Sequence, residues 1–351
     1  MNKNCKKMFL ILIMASLGLT ACGKDNNQAV TEIPTEENSG EVTTPITEPQ
    51  VTEYISPLSG LSSDDPAILT KRPIAVMFDN HRAARWQAGL SEAEIVYEIL
   101  AEGNITRYMG IFLKGNPERI GSVRSARPYF IAAALEYDAL YVHCGGSEQA
   151  FKDIKRYKVS DMDEIRNSGA AFYRYKKTGK KGEHTLYTDI GKIRDMQAIH
   201  KYSETAQFQA FKFNQQDTDL AGTAATQVDI IYWKDNKTQY KYDAGRKVYL
   251  RLKDGKPHID ENNQSEILAK NIIIQRADTK AIDSYGRLDV KLIGKGEGQY
   301  LTNGKMIPIT WEKADAHSKT IYKNLDGEEI RLNPGVTWIQ VVKLKMQVDI
   351  Q

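Results

Sequence analysis

From residue 57 onward, short apolar runs alternate with polar turns, and the spacing changes character part-way along the chain. Ile74-Ala75-Val76-Met77-Phe78 is a continuous apolar run of buried-strand length, entered through Arg72-Pro73 and left through Asp79-Asn80-His81. Residues 95–100 and 105–113 are rich in β-branched and aromatic types and flank Glu102-Gly103-Asn104, which predicts a hairpin. Pro128 stands where a first helical residue is favoured, so a short helix is expected over 129–136. Residues 139–144 read as another buried strand. Gly145-Gly146-Ser147 then supplies a turn and a serine cap for a helix over 148–155. After the polar stretch 215–222 the runs become uniformly β-like, with Asp254-Gly255, Asn303-Gly304 and Asp326-Gly327 as turn dipeptides between them. The pattern predicts an α+β protein: an N-terminal α/β-type domain with a mixed sheet over 57–216, then a mainly antiparallel β domain over 217–351. No fixed-period repeat is present, which argues against a solenoid or propeller.

The amino terminus follows a different grammar. Lys3, Lys6 and Lys7 precede an apolar run over 8–19, shorter than the roughly 20 residues that span a bilayer, so 1–21 reads as a signal peptide. Leu19-Thr20-Ala21-Cys22 resembles the bacterial lipobox. That resemblance implies cleavage before Cys22, acylation of its thiol with chains such as palmitate, and a lipid anchor at the extracytoplasmic face of the cell membrane. Residues 22–56 are then expected to form the lipidated cysteine and a disordered acidic tether, since 23–56 carries one lysine against seven acids and few large apolar residues. With Cys5 removed and Cys22 acylated, Cys144 is left without an intrachain partner and is expected to be a small buried hydrophobe.

The formal charge of +3 over 351 residues conceals these parts, a basic leader, an acidic tether and a mildly basic body. Hydrophobic residues at 41% and charged residues at 26% exclude a wholly disordered chain and a polytopic membrane protein. The body's positive surplus is spread out, and no nucleic-acid partner is expected.

Three polar constellations follow predicted strands or precede predicted helices. The first contains Asn80, His81 and Arg85, directly after a buried strand, where open α/β sheets place ligands. The second, Ser122-Val123-Arg124-Ser125-Ala126-Arg127, sets guanidiniums and hydroxyls before a helix start, a combination suited to phosphate or carboxylate. The third, His143-Cys144-Gly145-Gly146-Ser147, repeats the strand–turn–helix arrangement. Arg124, Arg127, Ser125, Arg85, Asn80 and His81 are the expected anion-binding residues. Glu98, Glu102, Arg107, His143, Ser147 and His184 are expected to line the same site. The competing expectation is a structural network in which Arg124 and Arg127 only neutralise Glu98 and Glu102. Tyr232, Trp233, Tyr240, Tyr242, Tyr249, Trp311 and Trp338 read as core, with a sugar-binding surface as the alternative. No metal-ligand spacing, nucleophile elbow or dinucleotide fingerprint occurs, so neither a metal nor a cofactor is expected.

These residues also resemble a known family. Ser56-Pro57-Leu58-Ser59-Gly60-Leu61, Ile120-Gly121-Ser122-Val123-Arg124-Ser125-Ala126-Arg127, Gly145-Gly146-Ser147, Asn303-Gly304-Lys305 and Leu332-Asn333-Pro334-Gly335 are similar to stretches of the YerB-like lipoproteins of Gram-positive bacteria. Trp86, Asn104 and Thr185 depart from the family pattern. The resemblance implies a lipid-anchored, extracytoplasmic protein with a paired domain of unknown function, and it transfers no catalytic residue. In layout alone, the hairpin, Arg-bearing loop and Gly-Gly strand end are similar to the LytR-CpsA-Psr phosphotransferases. The expected function is a binding or accessory factor of the cell envelope, perched on the membrane and partnered by a wall polymer or an envelope protein. The alternative is an envelope-glycan enzyme acting by phosphotransfer or hydrolysis.

Overall fold

The structure is a computed structural model that describes residues 53–351; Cys22, the signal segment and most of the expected tether lie outside the described residues. Strand Ile74–Asp79 is buried at every position, as its unbroken apolar run requires of a strand covered on both faces. The hairpin Ile95–Glu102/Ile105–Phe112 forms as its turn dictates and pairs antiparallel with Ile74–Asp79. Strand Ile74–Asp79 in turn runs parallel to Leu140–His143, which runs parallel to Asp161–Asp163.

This sheet does not stop at residue 216. Thr337–Lys343 inserts parallel to Ile95–Glu102 on one side and to Asn271–Ala277 on the other, so that Gln340 lies opposite Glu98. Beyond Asn271–Ala277 the sheet continues through Gly294–Thr302 and Lys305–Lys313, and in all it has eleven strands. Residues from both segments therefore share one core, and the described residues lie in one compact unit. The fold is α+β, with a mixed sheet in the N-terminal region and antiparallel pairing dominant in the C-terminal one.

A second, six-stranded antiparallel sheet includes Gln227–Trp233, Asn236–Asp243 and Val248–Lys253. The period-two alternation of Gln227–Trp233 buries Val228, Ile230 and Tyr232 and turns Trp233 outward. The buried face packs on the first sheet: Tyr232 Oη donates to Gln340 Oε1 at 2.9 Å, and Gln340 Nε2 donates to Tyr240 Oη at 2.7 Å. Trp338, fully buried, meets Tyr108 edge-on with ring centroids 5.7 Å apart. Tyr240, Tyr249 and Trp311 are core as well; Tyr242 is half-buried and Trp233 exposed.

Three helices, Pro128–Leu135, Glu148–Tyr157 and Ile190–Ile199, complete the N-terminal region. Ser147 Oγ accepts from Ala150 N at 3.2 Å, the cap that its place in the sequence predicts.

Candidate functional site

The site begins with the way segment 120–127 is stitched into the sheet. Arg124 N donates to Met77 O at 3.0 Å, Cys144 N to Arg124 O at 3.1 Å, and Ala126 N to Gly145 O at 2.9 Å. The segment therefore lies between the carboxyl ends of Ile74–Asp79 and Leu140–His143. Gly121 lets the start of the segment close against strand Leu186–Thr188, since a Cβ there would lie 2.8 Å from Leu186 O. The result sets Arg124 beside Asp79, and Arg127 beside the hairpin.

Four carboxylates hold the arginines. Glu102 pairs with Arg107 Nη2 at 2.9 Å and, through its other oxygen, with Arg127 Nη2. Arg107 Nη1 also donates to Ser125 O at 2.9 Å. Burial, reinforced by the nearby Arg124 charge, lowers the Arg107 pKa to about 10; burial lowers that of Arg127 too. Asp79 Oδ2 lies 2.9 Å from His184 Nδ1 and 3.4 Å from Arg124 Nε. Arg124 Nη2 reaches Glu183 at 3.4 Å, and the His81 ring stacks parallel to His184 with centroids 5.2 Å apart. Arg85 pairs with Asp254 at 2.6 Å and donates to Asn80 Oδ1 at 3.2 Å. Every arginine expected to hold an anion thus already has a carboxylate.

A cleft of ≈ 540 Å³ opens between the hairpin turn and the second sheet. On the hairpin side stand Asn80, His81, Arg82, Arg85, Glu102 and Tyr285; on the side of the second sheet, Trp233 and Asp235. Trp233 is 50% exposed and Tyr285 78%. Tyr285 is held there because Gly103 N donates to Gly286 O at 3.1 Å, tying its loop to the hairpin turn. Arg82 Nη2 crosses to Asp235 O at 2.9 Å.

Behind the cleft lies a sealed ionic seam. Glu98, Arg251 and Lys253 are all fully enclosed; Glu98 is 2.5 Å from Arg251 Nη2 and 3.4 Å from Lys253 Nζ. Burial alone would raise the Glu98 pKa, but Lys253, Arg251 and the Thr106 hydroxyl hold it at about 2. Burial takes Lys253 down to about 8, with Glu98 opposing. Burial and the Arg251 charge push His258 well below its usual range, leaving a neutral ring. Its Nδ1 accepts from Arg251, and its Nε2 donates to Gln87 Oε1 at 2.8 Å. Gln87 Nε2 then donates to Asp79 O at 2.8 Å. This polar chain joins the C-terminal β strands to the strand end that carries the site.

The remaining expected residues lie elsewhere. His143 is fully buried between Asp161 Oδ2 at 3.2 Å and Gly145 O at 2.9 Å, and Ser147 is occupied as a helix cap. Cys144 is half-buried, and burial with its Glu164 contact pushes the thiol up to about 12, away from nucleophilic chemistry. No group of three or more metal-ligating side chains occurs among the described residues.

Comparison with known proteins places this arrangement in a lineage. Residues 58–209 match the N-terminal domain, and residues 228–339 the C-terminal domain, of a protein family of unknown function, DUF3048. The chain belongs to the DUF3048 family. A relative from Bacillus subtilis (strain 168), named "Putative lipoprotein YerB", is 33% identical over 290 residues, covering 82% of this chain and 86% of the relative. The crystal structure of YerB from Bacillus subtilis superposes with a TM-score of 0.76 at 31% identity, covering 84% of this chain and 99% of that one. No helix among the described residues is long and apolar enough to cross a membrane.

In this DUF3048 protein, sequence reasoning passed over Arg82, Asp235 and Tyr285. Arg82 sits within a stretch already singled out, and Tyr285 is an aromatic in the polar loop Asp283-Ser284-Tyr285-Gly286, a readable signal. The charge run Arg174-Tyr175-Lys176-Lys177-Thr178-Gly179-Lys180-Lys181 was equally visible and also went unused.

Proposed function

We propose that this DUF3048 protein is a lipid-anchored, extracytoplasmic binding protein whose cleft receives an acidic glycan of the cell envelope. The observation that carries the reading is the pairing of two exposed aromatic rings, Trp233 and Tyr285, with Arg82, Arg85, Asn80 and Glu102 in one cleft. Large exposed aromatics are costly unless they meet an apolar surface, and the C–H face of a sugar ring supplies one. Planar amides, carboxylates and guanidiniums match the paired hydroxyls and carboxylates at its rim. Arg82, whose side chain is 62% exposed, is the most available of the guanidiniums. The lipobox at Cys22 and the name of the Bacillus relative support the anchor and the extracytoplasmic location.

Binding is favoured over hydrolysis by placement. Hydrolysis by acid and base side chains would need them in one cleft; His81 and Glu102 line it, whereas Glu98 and His143 are sealed in the interior. Glu102 is moreover clamped by two guanidiniums, which suits a positioning role better than proton transfer.

The test is titration with soluble peptidoglycan fragments bearing free muramyl carboxylates. Trp233→Ala with Tyr285→Ala should weaken binding about tenfold or more, or about 1.4 kcal/mol, while thermal unfolding is unchanged. Equal affinity in the folded double variant overturns the proposal.

A further inference from the structure

Strands Ile120–Gly121, Leu186–Thr188 and Tyr173–Arg174 form a separate three-stranded sheet, and loop residues 175–185 leave it at Tyr173–Arg174 and return at Leu186–Thr188. Gly179 and Gly182, at φ +79° and +57°, let the chain fold back on itself. The loop and its leading strand carry Arg174, Lys176, Lys177, Lys180 and Lys181, against the single acid Glu183. Lys180 is structural: its Nζ lies 2.5 Å from Glu261 and donates to Trp86 O at 2.6 Å, pinning the loop to the body. Glu183 is drawn toward Arg124. Lys176, Lys177 and Lys181, by contrast, are exposed and have no carboxylate within 4.0 Å among the described residues. Lys176 and Lys181 line, with Arg174, Lys180 and Glu183, a hollow of ≈ 640 Å³ that also touches Gly182 and Thr185, and Lys177 follows Lys176 in the chain.

We infer that this hollow is a second binding site, for the phosphates of an extended, soluble polyanion such as a phosphate-bearing wall polymer. Concentrated like charge is self-repulsive, and the uncompensated lysines lower their energy only when an anion arrives. None of the exposed large apolar side chains lies within 173–185. A membrane-binding patch would offer apolar side chains for insertion. The site is independent of the glycan reading, because its lysines do not line the aromatic cleft.

The probe is long-chain sodium polyphosphate, titrated against the full-length protein at 50 and 200 mM salt. Three phosphate contacts, one per free lysine, predict a loss of affinity on the order of twenty-fold across that range by counterion release. Lys176→Ala, Lys177→Ala and Lys181→Ala together should weaken binding at least tenfold with unchanged melting, and arginines at the same three positions should restore it. Trp233→Ala with Tyr285→Ala should leave polyphosphate binding intact, so failure here is separable from failure of the cleft. No binding by the wild type at 50 mM salt, undiminished binding by the alanine variant, or preference for phosphatidylglycerol vesicles over polyphosphate would each overturn the inference.

Discussion

Glu98 and Glu102 stand four residues apart on one strand, and each is held by two cations, yet they behave as different objects. Glu98 is sealed with Arg251 and Lys253 at zero exposure. Glu102 keeps 28% of its side chain open at the cleft edge while pairing with Arg107 and Arg127. The difference lies in the partners' origins. Those of Glu98 come from Val248–Lys253 in the second sheet, so its ion pairs close the two halves over each other. Those of Glu102 come from its own hairpin and the adjoining loop, so they set a wall without sealing it. Similar ion pairing makes a sealed seam in one place and an open cleft wall in the other, because the Glu98 carboxylate is shut off from water and the Glu102 carboxylate is not.

Breaking the seam should have the largest effect. Glu98→Ala strands two buried cations and should destabilise by about 3–5 kcal/mol in denaturant unfolding. Adding Arg251→Met and Lys253→Met to Glu98→Leu should restore more than half of that loss, since the uncompensated charge is the main cost. Glu102→Gln should cost only about 1–2 kcal/mol, because the amide keeps an oxygen acceptor for the guanidiniums and the 102 side chain is partly open to water. Trp233→Ala should change stability by less than about 0.5 kcal/mol, as an exposed side chain away from the core.

The seam also sharpens the comparison through pH. Glu98 has a folded pKa of about 2 against an ordinary 4.5, so its contribution is complete above about pH 4.5 and is lost as pH falls toward 2. Lys253 runs in the opposite direction. Its folded pKa of about 8 lies below the ordinary 10.5, so the folded state releases the proton first and stability rises from about pH 8 to 10.5. Glu98→Gln should flatten the acid limb of a stability–pH curve, and Lys253→Met the alkaline one.

The elements of the N-terminal region were legible because each rests on local pattern: an unbroken apolar run at 74–78, a Gly-Asn turn at 103–104, a serine cap at 147. The partners of the charges were not legible. Residue type announces that Arg124 and Arg127 seek anions, but not which ones. The competing expectation of a structural network was right for Arg127 with Glu102. For Arg124 the partners are Asp79 and Glu183, and Glu98 turns to residues more than 150 positions away. Thr337–Lys343 reads locally as one more C-terminal strand; only its parallel insertion beside Ile95–Glu102 joins the two segments into one sheet. The far wall of the cleft has the same origin. Trp233 faces outward because the last buried residue of its strand is Tyr232, a parity that is fixed only when the second sheet docks.

The central claim is that the aromatic cleft, and not the arginines alone, holds the ligand. Hydrogen exchange with and without soluble peptidoglycan fragments tests it most directly. The account predicts added protection at 80–85, 102–105, 233–236 and 283–287, with the seam strands already protected and unchanged. Protection confined to segment 120–127, or no protection at any of the four cleft segments under saturating fragment, would contradict it.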